Sequence, residues 1–171
     1  MIIREAIPDD FTAIAQLVVD AYQEYAVSLT PAAWEQMRTG LATVDRLAAS
    51  ATFLVAEDSR QFAGSVAYYP PGTSDPRLFP QHWASLRLLA VAPAHRGRGL
   101  GRQLTEACVA RARADGAREI GLHTSELMHT ARQLYERMGF QRIPPFGPYF
   151  EDPLSLCYEK RIMQDSPLTD S

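Results

Sequence analysis

Apolar positions recur along this chain with two different periods, and the switches between them lay out the fold. "IIREAI", residues 2–7, is a short apolar run ended by Pro8, which predicts a strand. Phe11, Ile14, Leu17, Val18 and Ala21 then recur at helical spacing, with Asp9 or Asp10 placed to cap the first turn. Thr30 and Pro31 open a second helix, threonine as N-cap and proline at the first helical position. The pattern carries that helix to about Ser50, with Gly40 its weak point. "TFLVAE" and "QFAGSVAYY" are β-rich runs separated by "DSR", the mark of a hairpin. Residues 70–82 contain four prolines and form a loop. "WASLRLLAV" is a strand stopped by Pro93; a helix follows from about Gly99 to Asp115, ended at Gly116. "REIGLHTS" reads as a strand and "ELMHTARQLYERM" as a helix closed by Gly139. A short strand at 141–143, a second proline-rich loop ("PPFGPYFEDP") and a last strand, "LSLCYEKRI", complete the set.

The order is β-α-α-β-β-β-α-β-α-β-β, an α/β chain with no repeat and no dividing linker. Helices in that order pack on both faces of one mixed sheet, so residues 1–163 are expected to form one domain. The polar residues 164–171 are expected to be a disordered tail.

Composition narrows the function. At 171 residues the chain is long enough to bury a real core, and its formal net charge of −3 argues against nucleic acid as a partner. Lys160 is the only lysine among the 17 basic residues. Arg87, Arg96, Arg98, Arg102, Arg111, Arg113 and Arg118 crowd one segment of the chain. A local basic field in an acidic protein suits a small polyanion. Cys108 and Cys157 match no disulfide framework and no metal spacing, so two buried thiols and no metal are expected. The N-terminus lacks the basic and apolar regions of a signal peptide, and no apolar run approaches the roughly 20 residues that span a bilayer. A cytoplasmic protein without a membrane partner is the expectation.

"HRGRGLG", residues 95–101, carries the chemistry. It opens a helix directly after a strand, where unpaired amides and the helix dipole favour an anion and glycine lets the backbone approach one. Taken alone, such a turn is more often only a turn. A P-loop would need Gly-Lys-Ser/Thr, which is missing. A dinucleotide fingerprint would align Gly97 and Gly99 but put its third glycine on Arg102, and Glu119 begins a strand where the ribose-binding acid ends one. What remains is Arg-x-x-Gly-x-Gly at Arg96, Gly99 and Gly101. Together with "ARQLYERMGF" about thirty residues on, it resembles the GNAT superfamily of acetyl-CoA-dependent N-acetyltransferases. The motifs cover residues 83–143, and the order of elements covers the whole chain.

The resemblance implies a mostly antiparallel mixed sheet and acetyl-CoA as cosubstrate. It implies that main-chain amides from Arg96 through Arg102 (Arg96, Gly97, Arg98, Gly99, Leu100, Gly101, Arg102) wrap the pyrophosphate, with Gly97, Gly99 and Gly101 where side chains would obstruct. It implies that Leu89, Ala90 and Val91 offer main-chain groups to the pantetheine arm and the thioester carbonyl. Tyr135 aligns with the tyrosine that acts as general acid on the departing thiolate, although Leu134, Tyr135 and Met138 are also spaced to face a core. Two positions depart from the family pattern: Ser85 stands where many members carry a glutamate base, and Met128 where many carry a cofactor-contacting asparagine. The base is therefore open among His123, Glu126, His82 and a chain of waters, with His123 the tentative choice.

For the acceptor, the first two helices and the two proline-rich loops supply Tyr22, Glu24, Tyr25, Trp34, Tyr68, Tyr69, Trp83, Phe146, Tyr149 and Phe150, some of which are ordinary core. Glu24, Glu151 and Asp152 are candidates to attract a cationic amine. The implied reaction is acetyl transfer to a primary amine of a small molecule by direct attack through a ternary complex. Cys108, in mid-helix, is a poor nucleophile. The alternatives are a peptide or protein acceptor, and a non-catalytic acyl-CoA-binding sensor. A homodimer is compatible with the sequence.

Overall fold

The computed structural model describes residues 1–145 and 154–164. Seven strands form one sheet: β1 (Ile2–Glu5), β2 (Thr52–Asp58), β3 (Gln61–Tyr69), β4 (Ala84–Val91), β5 (Glu119–Ser125), β6 (Gln141–Ile143) and β7 (Ser155–Arg161). Their order across the sheet is β1-β2-β3-β4-β5-β7-β6, with every neighbouring pair antiparallel except β4 and β5. The α/β fold with a mixed, mostly antiparallel sheet is thus as expected.

β2 shows how the strands serve two cores, because successive side chains leave opposite faces. Phe53 and Val55 join Ile14, Leu17 and Val18 of α1 (Phe11–Tyr22). Leu54 and Ala56 join Leu100, Leu104 and Cys108 of α4 (Leu100–Ala114). The "DSR" hairpin turns on Ser59 and Arg60, both with positive φ (50° and 67°), the backbone of a tight turn matched to strand twist.

The second helix differs from its expected length. α2 spans Pro31–Leu41, capped at its start by Thr30, whose hydroxyl accepts from the Ala33 amide at 3.1 Å. It does not run to Ser50. The Thr43 hydroxyl bonds the Gly40 carbonyl at 2.7 Å, closing the helix at its weak point, and α3 (Val44–Leu47) forms a separate turn. Likewise α5 begins at His129 and runs to Arg137, rather than starting at Glu126. The Glu126 amide is taken by the Leu154 carbonyl (2.8 Å) and the Leu127 amide by the Ser125 hydroxyl (3.2 Å). Asp10 serves the first helix without capping it. Its carboxylate accepts from Arg4 at 2.7 Å and from the Ile7 amide at 2.9 Å, ahead of a short 3-10 turn over Pro8–Asp10.

Cys108 and Cys157 are buried and are not joined in a disulfide. Among the described residues no helix is long and apolar enough to cross a membrane.

Candidate functional site

Two features of β4 open the site. β4 and β5, the parallel pair, touch in register only at Ala84↔Ile120 and Ser85↔Gly121, and then diverge. Halfway along, the register against β3 slips between Ser65 and Ala67, and Leu88 takes φ 55°. A bulge of this kind bends the strand and puts consecutive residues on one side. Arg87, Leu88 and Ala90 consequently lie on the α1 side of the sheet, and Leu86, Leu89 and Val91 on the α4 side. Ala92 donates its amide to the Ala63 carbonyl at 2.8 Å, so by antiparallel alternation Ala90 also turns its main-chain groups to β3. The divergence therefore exposes the main chain of Leu89 and Val91 rather than that of Ala90. A cavity of about 470 Å³ fills it. The Leu89 carbonyl is partly used, since it accepts from the Tyr22 hydroxyl at 3.3 Å.

The glycine loop forms one end of this cavity. A 3-10 turn over Pro93–His95 leads in, and Gly99 precedes α4. The amides of residues 97–102 donate to no described residue, and Gln103 is the first to bond back, to the Gly99 carbonyl at 3.1 Å. Orphan amides facing a cleft at a helix N-terminus form a ready anion site. The backbone gives two of these glycines a reason of its own. Gly97 and Gly99 have φ of 77° and 76°, and a side chain at either would meet no protein atom within 4 Å. Left-handed backbone is what excludes other residues there. Gly101 is the crowded one, its missing Cβ lying 3.3 Å from a Leu134 methyl.

The arginine side chains of the loop are turned to the protein. Arg96 donates to Glu24 at 3.0 Å and to the Ala21 carbonyl at 2.9 Å, tying the loop to the end of α1. Arg98 lies 3.6 Å from Asp58, and Arg102 pairs with Glu106 at 2.9 Å. Glu24 is thereby committed to Arg96.

Tyr135 of α5 lines the same cavity, 5 % exposed, with its hydroxyl bonded to no described residue. Desolvation first, then Tyr22, Cys108 and Tyr25, hold its phenol well above the ordinary range. Of the base candidates, only His123 lines the cavity. Burial and, secondarily, the Arg87 cation lower its pKa to about 4, so it is neutral at working pH and weakly basic. Glu126 is held by Arg132 at 2.9 Å. His82 is exposed and stands edge-on to Trp83. Ser85 bonds the Ser74 hydroxyl at 2.6 Å on the α1 side of the sheet, outside the cavity. Met128, the other departure from the family pattern, does line it.

The acetyltransferase (GNAT) family matches residues 11–140. The chain belongs to the GNAT family. It is 40 % identical over 80 residues to an IAA acetyltransferase of Azospirillum brasilense, an alignment covering 47 % of this chain and 52 % of that protein. The chain spans about half the length of the curated relatives it matches. A Brucella melitensis GNAT acetyltransferase, solved in complex with acetyl-CoA, is 26 % identical with a TM-score of 0.64, covering 97 % of this chain and 90 % of that one. A Thermoplasma acidophilum N-acetyltransferase, solved in complex with coenzyme A, superposes with a TM-score of 0.76 at 15 % identity, over 94 % of this chain and 98 % of that one.

On this GNAT scaffold the aromatic residues expected at the acceptor separate. Tyr22 and Tyr25 line the main cavity, and Tyr69 lines a second cavity of about 350 Å³. Tyr68 is on the opposite face, bonded to Asp115 at 2.6 Å, and is structural. Trp83 packs with Phe79 and Leu78, and Trp34 lines neither cavity. Phe146, Tyr149, Phe150, Glu151 and Asp152 lie outside the described residues. Arg87, which lines both cavities, was missed as a site residue. Its signal was present: it is the one charge inside the otherwise apolar run of β4.

Proposed function

We propose that the chain transfers an acetyl group from acetyl-CoA to a primary amine of a small molecule by direct attack within a ternary complex. The observation that carries this reading is the row of unbonded amides at residues 97–102, at one end of a cavity that Tyr135 also lines. Diphosphate oxygens would satisfy those amides, and the main chain of Leu89 and Val91 would flank the pantetheine arm. When bound, acetyl-CoA supplies the activated acetyl carbonyl.

The chain's own groups do the rest. An unpaired β4 amide, from Leu89 or Val91, stands where it can donate to a carbonyl oxygen gaining charge. Tyr135 donates its hydroxyl proton toward the leaving sulfur. His123, held neutral, accepts a hydrogen bond from the incoming amine without placing a second cation beside it. Because its pKa is about 4, proton removal is left to water, and turnover should rise with pH along the amine's own titration. Direct attack is supported by the cysteines. Cys108 is buried outside the cavity with its thiol pushed up to about 12, and Cys157 is buried as well. With the larger cavity taken by coenzyme A, the second cavity of about 350 Å³ favours a small acceptor over a peptide.

The test is thiol release from acetyl-CoA across a broad panel of amines. Acceptor-dependent release is expected. Coenzyme A binding by calorimetry with no release across the panel would overturn the enzyme reading in favour of an acyl-CoA sensor.

A further inference from the structure

Arg87 sits where the two cavities meet, on the α1 side of β4, and it is partly buried. Among the described residues it has no ion pair and no hydrogen bond of good geometry. The acid whose field reaches it, Asp75, is already committed. Arg77 grips that carboxylate through several contacts, the shortest 2.7 Å, holding its pKa down at about 2. Tyr69 lies next to Arg87 on the same face, directly across from Ser85 on the neighbouring strand. The Tyr69 hydroxyl is buried, lines the second cavity and donates to no described residue, and the Arg87 guanidinium approaches its oxygen without reaching good hydrogen-bond geometry.

A half-buried guanidinium without a carboxylate, beside a buried phenol whose proton has no acceptor among the described residues, is costly unless a ligand completes both. A carboxylate does so: it takes two parallel N–H bonds from the guanidinium and a third from the phenol. The rest of the second cavity fits the same ligand. Its polar wall includes the hydroxyls of Ser50, Thr73 and Ser74, Arg46 adds a second cation, and Asp75 is its one acid among the described residues.

We propose that Arg87, with Tyr69, binds a carboxylate carried by the acceptor, so that the amines this chain acetylates are those of amino-acid-type molecules. The inference rests on the acetyl-transfer reading and specifies its acceptor. In an α-amino acid the nitrogen is two bonds from the carboxyl carbon. A carboxylate seated at the junction therefore leaves the amine to enter the main cavity, toward Tyr135 and His123. The same cation disfavours polyamines.

Two measurements test it. The common amino acids, their methyl esters and the matching decarboxylated amines are compared as acceptors with wild type, Arg87→Met and Arg87→Lys. Binding of N-acetylated amino acids and their methyl esters to the coenzyme A-loaded protein is measured by calorimetry. Free acids should lead the esters by about 10- to 100-fold, the strength of hydrogen bonds to a charged group. Arg87→Met should erase that lead, Arg87→Lys should restore part of it, coenzyme A affinity should stay at the wild-type value, and the melting temperature should not fall. The proposal is overturned if acids hold no advantage over esters in binding, or if Arg87→Met preserves it. Esters and plain amines acetylated as well as the acids would overturn it while leaving acetyl transfer intact. Acid-selective binding with no turnover of any acceptor would support the carboxylate site and sink the transfer reading alone.

Discussion

Replacing Tyr135 by phenylalanine separates what this side chain does for the fold from what it does for the reaction. Its ring packs against Phe140, with centroids 5.6 Å apart, and phenylalanine keeps that contact. Its hydroxyl bonds no described residue, so the substitution breaks no hydrogen bond among them. Stability should stay within about 0.5 kcal/mol of wild type. For a domain of this size that moves the melting temperature by about 2 °C or less. The phenol is held well above its usual range, chiefly by burial, so it remains protonated and available to donate at every working pH. Complete transfer to a thiolate with a conjugate acid near roughly 8.5 is uphill, and hydrogen-bond donation as the sulfur gains charge is the larger part of its work. Losing one such donor costs roughly 100- to 1,000-fold in turnover, about 2.7–4 kcal/mol. Thiol-release kinetics, coenzyme A calorimetry and a thermal melt on Tyr135→Phe check all three. A variant with wild-type melting and binding and a kcat within about 3-fold of wild type would refute the donor role.

Arg96→Ala should leave the fold nearly as stable, because its pair with Glu24 is exposed and such pairs contribute about 1 kcal/mol or less. It should weaken coenzyme A binding about 3- to 10-fold, since the loop amides lose the anchor that preorganises them; an unchanged calorimetric Kd would contradict this. The Asp10 carboxyl is held below its usual range first by the Arg4 hydrogen bond, against the opposing effect of burial, with the Ile7 amide helping. Its contribution is fully present above the unfolded value of roughly 3.9 and is lost as pH falls through the lower folded value. Unfolding free energies of wild type and Asp10→Asn from urea titrations should differ by about 1–3 kcal/mol at neutral pH and converge as pH falls through that lower folded value, and a pH-independent gap would be the wrong outcome. Cys108, with its thiol pushed up to about 12, and the buried Cys157 should be silent toward Ellman's reagent in the native protein and react after denaturation. A fast native titre would contradict the burial.

Local chemistry made much of this legible from residues alone. Thr30 and Pro31 start α2 as capping rules require, Gly116 with φ 77° ends the α4 region, and the prolines of 70–82 keep that segment out of the sheet. The glycine loop was legible because its backbone needs are written in residue type. Features that depend on tertiary partners were hidden. The closure of α2 at Gly40 hangs on the Thr43 hydroxyl, and the late start of α5 on the carbonyl of distant Leu154. The Leu88 bulge leaves no residue signature, since leucine is a poor choice for positive φ, yet it sets which β4 side chains face which cavity. Tyr68 looked like a site residue until Asp115 proved to be its partner, and Ser85, unfit as a base by its chemistry, bonds Ser74 instead.

The central claim is that main-chain nitrogens of residues 97–102 hold the diphosphate of coenzyme A. Amide chemical shifts during titration with desulfo-CoA, and with pantetheine as the ligand lacking the diphosphate, test it most directly. Saturable shifts concentrated on Gly97, Arg98, Gly99, Leu100, Gly101 and Arg102 are expected, with pantetheine at least about 100-fold weaker. No uptake of desulfo-CoA at millimolar concentration, or saturation with those six amides unmoved, would contradict it.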